Sequence, residues 1–487
     1  MSRGLGDVYK RQVYDIQESN WLGGAYKHEM GNFLNSQQHR DTLNYLLDTF
    51  VDAKEYGSIL QIKPLDYEGL KEAWETSAAA TAGDINMVMW YGAAKDAVAQ
   101  LIEQAIMLSQ KYDAVVTNPP YMGASGMGAP LANFVKKYYP DSKSDLFAVF
   151  IEVCSRMAGE NRYQAMITQH AWMFLSSYEK LREKMMLTET VNMAHLGARA
   201  FEEIGGEVVQ TTSFVRCRTH IDGYKGTYCR LIEPTFQQGK EDMFLSGENR
   251  YFANQDNFAK IPGRPFAYWM SPAVFYDYRR GTPLGDIAAP RKGNSTSDNN
   301  RFLRLWSEVD ANKMNLHSDN ITAEDSMKKR WYPYNKGGGY RKWYGFNEYL
   351  IDWYDDAAEI RKIKTAVIAN YQYFMKPGLT WSTVSSKKFS IRWFDKGYIF
   401  DNGGCCIFEL GSKRYYLLAL LNSTVFEYIF GQANPTLNFQ SGEVAKFPVV
   451  YEPSNEVDTL AEKNVLLSVD EYNSFETSWD FKRHPLV

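Results

Sequence analysis

The chain has 487 residues, 45% of them apolar, and a formal net charge of −4. That length allows two or more packed domains, and no apolar run approaches the roughly 20 residues of a membrane helix, so a soluble, cytoplasmic protein is expected. Its five cysteines, Cys154, Cys217, Cys229, Cys405 and Cys406, lack Cys-x-x-Cys spacing and neighbouring histidine pairs, which predicts buried thiols and no metal site.

In chain order, residues 1–12 fit no targeting pattern and read as a non-native leader. Residues 40–60 and 84–111 carry apolar positions at helical spacing. The second helix feeds an apolar strand that ends in the corner Asn118-Pro119-Pro120-Tyr121. Two prolines fix φ and remove backbone donors, so this corner offers the Asn118 side-chain oxygen and the Pro119 carbonyl as acceptors beside the flat ring of Tyr121. Those groups suit a planar amine: its two hydrogens meet acceptors and its ring system meets an aromatic face. A base within a duplex reaches such a corner only by flipping out and stacking on Tyr121. A plain Pro-Pro turn closing a strand is the alternative. Gly123, Gly126 and Gly128 follow, as a mobile flap or as an ordinary glycine-rich loop.

The next elements read as helix 145–158, strand 163–169, helix 177–187, strand 190–196 and a hairpin of 208–217 with 225–232. This alternation predicts an α/β sheet. His170, just after the second strand, is a candidate general base, with a structural histidine favoured.

From about residue 241 the alternation gives way to short aromatic-rich segments, which predicts a second domain. Residues 251–400 carry 23 Lys+Arg against 15 Asp+Glu, whereas residues 1–250 carry 25 against 31 and residues 401–487 carry 6 against 12. A local basic surface is what phosphate binding needs even on an acidic chain. Within it, residues 328–345 hold six basic side chains, no acidic ones and six aromatic rings. Lys328, Lys329, Arg330, Trp331, Lys336, Arg341, Lys342 and Trp343 are therefore expected to meet phosphates and unstacked bases, with Arg291, Lys292, Arg301, Lys387 and Lys388 on two flanking polar segments. A solvated basic loop is the bland alternative.

The strand and its Asn-Pro-Pro-Tyr corner resemble motif IV of the amino-methyltransferases. With residues 145–152 (DLFAVFIE), 434–440 (NPTLNFQ) and 474–486, the chain from about Val13 onward resembles the adenine-specific DNA methyltransferases of BREX phage defence. The resemblance implies a fold: the second half of a Rossmann-like methyltransferase domain over 13–240, then a mixed α+β target-recognition domain over 241–487. It implies S-adenosyl-L-methionine (SAM) as cofactor, double-stranded DNA and other BREX proteins as partners, and transfer of a methyl group to N6 of a flipped adenine. It also implies roles for Asn118, Pro119, Pro120 and Tyr121 in holding that base, for Asp145, Phe147 and Phe150 at the cofactor, and for Phe201 as a second stacking wall. The family's SAM-binding glycine turn has no match before residue 118, so an internal fragment, inactive alone, is expected. A protein-glutamine methyltransferase uses the same corner on a planar amide, and a catalytically silent DNA-binding module is the reading from another class.

Overall fold

A computed structural model describes residues 13–22, 27–77, 85–200, 209–385, 388–434, 438–484 and 486. Residues 1–12, Phe201 and Lys387, all singled out above, lie outside the described residues. The chain forms two compact units, one reaching to Trp172 and resuming over Ser177–Gln255, the other made of Met173–Ser176 and Asp256–Val487.

The first unit opens with helices. α1 (Gln37–Thr49) starts where the Ser36 hydroxyl accepts from the His39 amide, the usual work of a serine N-cap. α2 (Ala53–Tyr56) follows a break at Asp52, whose φ of 54° is left-handed, so the helix expected over 40–60 is two helices. α3 (Tyr67–Thr76) is capped by Asp66, and α4 (Ile85–Ser109) runs toward the sheet. Leu43, Leu46, Leu47 and Phe50 pack on Leu70, Trp74, Val98 and Ile102, which removes one continuous apolar stripe from water.

The sheet begins with β1 (Tyr112–Thr117). Then come α5 (Ala129–Tyr138), α6 (Leu146–Met157), β2 (Ala158–Gln169), α7 (Glu179–Met185), β3 (Glu189–Gly197), β4 (Thr211–Cys217), β5 (Gly226–Arg230), α8 (Gln237–Ser246) and β6 (Arg250–Ala253). The strands lie in the order β1-β2-β4-β3-β5-β6. β1 runs parallel to β2, β3 runs parallel to β5, and β4 is inserted antiparallel between β2 and β3. The expected hairpin of 208–217 with 225–232 is therefore wrong: β3 separates β4 from β5, and β5 makes its antiparallel pair with β6. Neighbouring strands in sequence had no short turn to bind them, and period-2 patterns specify strands without specifying partners. β1 is an edge strand, and its Val116 is 74% exposed.

The second unit holds β7 (Thr282–Pro283), β8 (Ala289–Arg291), β9 (Leu303–Leu305), β10 (Trp331–Asn335), β11 (Tyr349–Asp352), β12 (Gly378–Ser382), β13 (Ile391–Phe394), β14 (Ile399–Phe400), β15 (Gly404–Phe408) and β16 (Pro448–Val449). They pair as sheets β14-β10-β11-β9 and β13-β12-β15-β8, with β16 on β7. Helices Arg414–Leu421 and Thr424–Ala433 supply Leu417, Leu418 and Phe426 to one core with Trp381, Ile391 and Ile407. Tyr332, Tyr334, Ile351, Trp353 and Phe400 form another. The division between units falls at 255–256 and not at 240–241, because β6 still belongs to the first sheet through its pairing with β5. Among the described residues no helix is long and apolar enough to cross a membrane.

Candidate functional site

β1 ends at Thr117 and delivers Asn118 to the carboxyl edge of the parallel strands, where ligands of open α/β sheets gather. Asn118 and Pro120 are exposed, Pro119 is buried and Tyr121 is half-buried. The Tyr121 hydroxyl lies 3.4 Å from the Ile167 carbonyl of β2, and its ring meets Phe147 edge-on, with centroids 6.1 Å apart. Burial, with the nearby Asp145 charge, pushes the Tyr121 hydroxyl pKa up, so the phenol stays neutral.

The corner is pinned from behind by Asp145. Its Oδ1 accepts from the Met122 amide at 3.0 Å and from the Phe147 amide at 3.2 Å, capping α6 and fixing the residue after Tyr121 in one stroke. The Met122 carbonyl then accepts from the Leu146 amide at 3.0 Å, and the Ser144 carbonyl from the Ala124 amide at 3.0 Å. These bonds fasten the start of the Gly123–Gly128 stretch, which leads through a short 3-10 turn into α5 with Pro130 in its first turn. Phe147 has 0% exposure and rests between Tyr121 and Tyr178, while Phe150 is only partly buried against a neighbouring core cluster. Asp145 and Phe147 thus act here as a cap and as the support of the Tyr121 ring.

His170 follows β2 and shares a 2.8 Å contact, Nδ1 to Nε2, with His195 near the end of β3. Burial lowers the His170 pKa to about 4 and holds His195 well below its ordinary value. Both rings are neutral at neutral pH, and a base that weak removes few protons there.

In the second unit the basic, aromatic stretch is divided. β10 buries Tyr332 and Tyr334 in the core, so two of its six rings are unavailable to bases. Most of its cations already have acids: Lys328 pairs with Glu324, Arg330 with Asp352, Lys336 with Asp401 and Arg341 with Glu471. Lys342 donates to the Asn422 carbonyl, and the partly buried Trp343 packs on the core that holds Trp381. Lys329 is exposed and makes no ion pair among the described residues. Trp331 lies between the guanidinium groups of Arg330 and Arg304, at 5.8 and 6.0 Å, with Tyr354 also facing Arg330. Arg304 and Tyr354 carried no local sequence signal; the pairing of β9 and β10 on β11 brings Arg304 to Trp331, and Tyr354 follows β11 beside Arg330. Of the flanking residues, Arg291 faces Tyr373, Lys292 is exposed, Arg301 pairs with Glu359 and Lys388 pairs with Glu427. On β13, Arg392 is buried with Nε and Nη1 lacking hydrogen-bond partners, its guanidinium 4.9 Å from the Phe346 ring; burial lowers its pKa to about 10.

Residues 17–197 match the model of the Eco57I restriction-modification methylase family. The adenine-specific methyltransferase BrxX of Escherichia coli O9:H4 (strain HS) is 40% identical over 452 residues, covering 91% of this chain and 36% of that protein. The adenine-specific methyltransferase PglX of Lacticaseibacillus casei (strain Zhang) is 42% identical over 406 residues, covering 80% of this chain and 33% of that protein. Among solved structures, the Type IIL restriction-modification enzyme MmeI in complex with DNA is 15% identical, covering 76% of this chain and 50% of that one, at a TM-score of 0.48. Residues 17–197 are thus similar to the restriction-modification methylases. More particularly, the chain is a relative of the proteins named PglX and BrxX, and it spans about a third of their length.

Proposed function

We propose that this chain holds the exocyclic amine of an adenine, flipped from duplex DNA, for methylation at N6. The observation that carries the reading is the corner: an exposed Asn118 side chain at the carboxyl edge of a parallel strand, next to a ring whose plane is fixed by Phe147 beneath it. An amine lone pair delocalised into a purine is a poor nucleophile. The Asn118 oxygen and the Pro119 carbonyl accept its two hydrogens and favour a more tetrahedral nitrogen, while Tyr121 stacks on the base. Nothing in this step calls for a proton removed in advance, which agrees with two neutral histidines nearby.

SAM is the methyl donor this reading implies. Of the three residues expected to touch it, Asp145 is engaged by two backbone amides, Phe147 has no exposed surface and Phe150 is partly buried. The second unit is read as the target-recognition part, with Lys329, Arg304, Arg330 and Trp331 facing DNA. Marking host DNA in phage defence alongside other BREX proteins is the role that follows.

The test is Asn118→Ala in a protein of the relatives' full length. Methylation should fall by more than about 100-fold, the usual cost of removing one transition-state acceptor, with duplex affinity unchanged. Equal losses of affinity and turnover would make the corner structural. A DNA-binding module without catalysis is the second reading, since Asp145 and Phe147, expected at the cofactor, are taken up by a helix cap and the core. Calorimetry of this chain with SAM separates the readings, because micromolar binding would remove the case for the silent module.

A further inference from the structure

At the end of the sheet opposite Asn118 lies a recess of about 230 Å³, walled by α6, β2, α7 and the end of β4. Gln164 in its wall stands in register with Val115 of β1, about 10 Å along the strand from Asn118, and no corner residue lines the recess. Its chemistry is unlike that of the rest of the unit. Arg156 and Arg218 line it, and Lys111 is close by, its ammonium donating to the Arg156 carbonyl at 2.5 Å. Arg218 donates to the Ala158 carbonyl at 2.7 Å, and Arg156 lies over the Tyr139 ring. These are neutral partners: none of the three cations makes an ion pair among the described residues. The acids nearest at hand are engaged elsewhere, since Lys184 holds both Asp141 and Glu152 at 2.7 Å. Burial, then Arg218 and Arg156, lowers the Lys111 pKa, as expected of cations gathered without a counter-charge.

The lining also carries two buried acceptors that lack a hydrogen-bond partner, Gln164 Oε1 and Glu152 Oε1. Gln164 is 3% exposed. A buried acceptor left unmatched is costly, so a natural occupant supplies a donor as well as negative charge. Sulfate carries two charges but no hydrogen at neutral pH. Inorganic phosphate carries charge for the guanidinium groups and, as its monoanion, two hydroxyls for the two acceptors.

We propose that this recess binds inorganic phosphate as its monoanion, with Arg156 and Arg218 on its two charged oxygens and Glu152 and Gln164 each accepting from one of its two P–OH groups. The recess has room for one phosphate ion and too little for a nucleic-acid strand. The site is independent of the methyl-transfer reading, so either stands if the other fails.

Calorimetric titration of the chain with inorganic phosphate, in low-chloride buffer, tests this directly. Saturable binding is expected, with sulfate weaker by at least about 10-fold. Arg218→Gln and Arg156→Gln should each weaken phosphate by about 10-fold with an unchanged urea midpoint, and Glu152→Gln should bring phosphate and sulfate together. If one arginine variant misfolds, the other takes its place with the same expected loss. Absence of saturable heat up to about 10 mM phosphate would overturn the proposal, as would sulfate binding equal to phosphate in the unaltered chain or undiminished binding in the arginine variants. Displacement of phosphate by a short DNA duplex would also overturn it, by making these cations a backbone contact.

Discussion

Asp145 is the residue on which the corner's geometry most depends, and its removal has a calculable cost. Asp145→Ala takes away two hydrogen bonds from backbone amides to a carboxylate, at 3.0 and 3.2 Å, and leaves Met122 and Phe147 amides without that acceptor. Charge-assisted bonds of this kind contribute about 1.5–3 kcal/mol each, and an N-cap aspartate about 1 kcal/mol, part of which is the same bond. The net loss should be about 3 kcal/mol, concentrated at the 118–150 segment. Asp145→Asn keeps an acceptor oxygen and should cost about 1 kcal/mol or less at neutral pH. The two variants also differ in pH dependence. Burial outweighs the amide hydrogen bonds and raises the folded Asp145 pKa above its ordinary value. The folded state therefore holds this proton more tightly than the unfolded state does. The group's contribution is full below the unfolded pKa and declines as pH rises through the folded pKa, a slope that Asp145→Asn abolishes. Hydrogen exchange by mass spectrometry, followed on peptides from 117–150, reports this segment without requiring the whole chain to unfold in one step. Protection factors unchanged within threefold in Asp145→Ala would refute the clamp.

Three further expectations follow from the described contacts. Lys329→Ala should flatten the slope of log K against log salt for duplex binding by about 0.9, whereas adding Lys328→Ala and Arg330→Ala should bring the change to no more than about 2, because those two cations already hold Glu324 and Asp352. A salt titration that shows no change for Lys329→Ala places the phosphate contacts elsewhere. Phe147→Ala should cost about 3–5 kcal/mol in urea denaturation and, in the full-length protein, lower methylation further than the stability loss explains, since the Tyr121 ring loses its support. Activity that merely tracks the folded fraction would count against the support role. Arg392→Met should be neutral or stabilising by about 1–3 kcal/mol, because a buried cation without an acid gives way to an apolar side chain of similar length; a loss above about 2 kcal/mol would reveal a partner for the guanidinium.

Much of the first unit is legible in sequence because its signals are local. Helix 145–158 appears as Leu146–Met157, with Asp145, expected at the cofactor, as its N-cap. The Asn118 corner falls at the strand end where it is expected. What local patterns do not carry is partnership. Residues 211–217 have the period of a strand, but the choice of β2 and β3 over β5 as partners is not carried by those residues alone. The same limit applies to residues 328–345. Density of charge and rings is visible, whereas the acids that meet those charges, at 324, 352, 401 and 471, are scattered over the second unit. Lys342 and Lys329 differ only in what the fold sets beside them.

The antiparallel insertion of β4 has a consequence for how the chain is made. Synthesis delivers β1, β2 and β3 first, and each of β2 and β3 then carries a bare edge facing an empty slot. The slot closes only when residues 211–217 arrive with partners on both sides, from Gln169 pairing Thr211 to Glu189 pairing Cys217. Until then two unpaired strand edges stand open on the ribosome, a state that invites pairing with other chains. A ribosome stalled before residue 217 should thus yield a nascent chain that depends on chaperones more than one stalled far enough beyond it for β4 to leave the exit tunnel, in which only the β3 edge that awaits β5 is still open between strands.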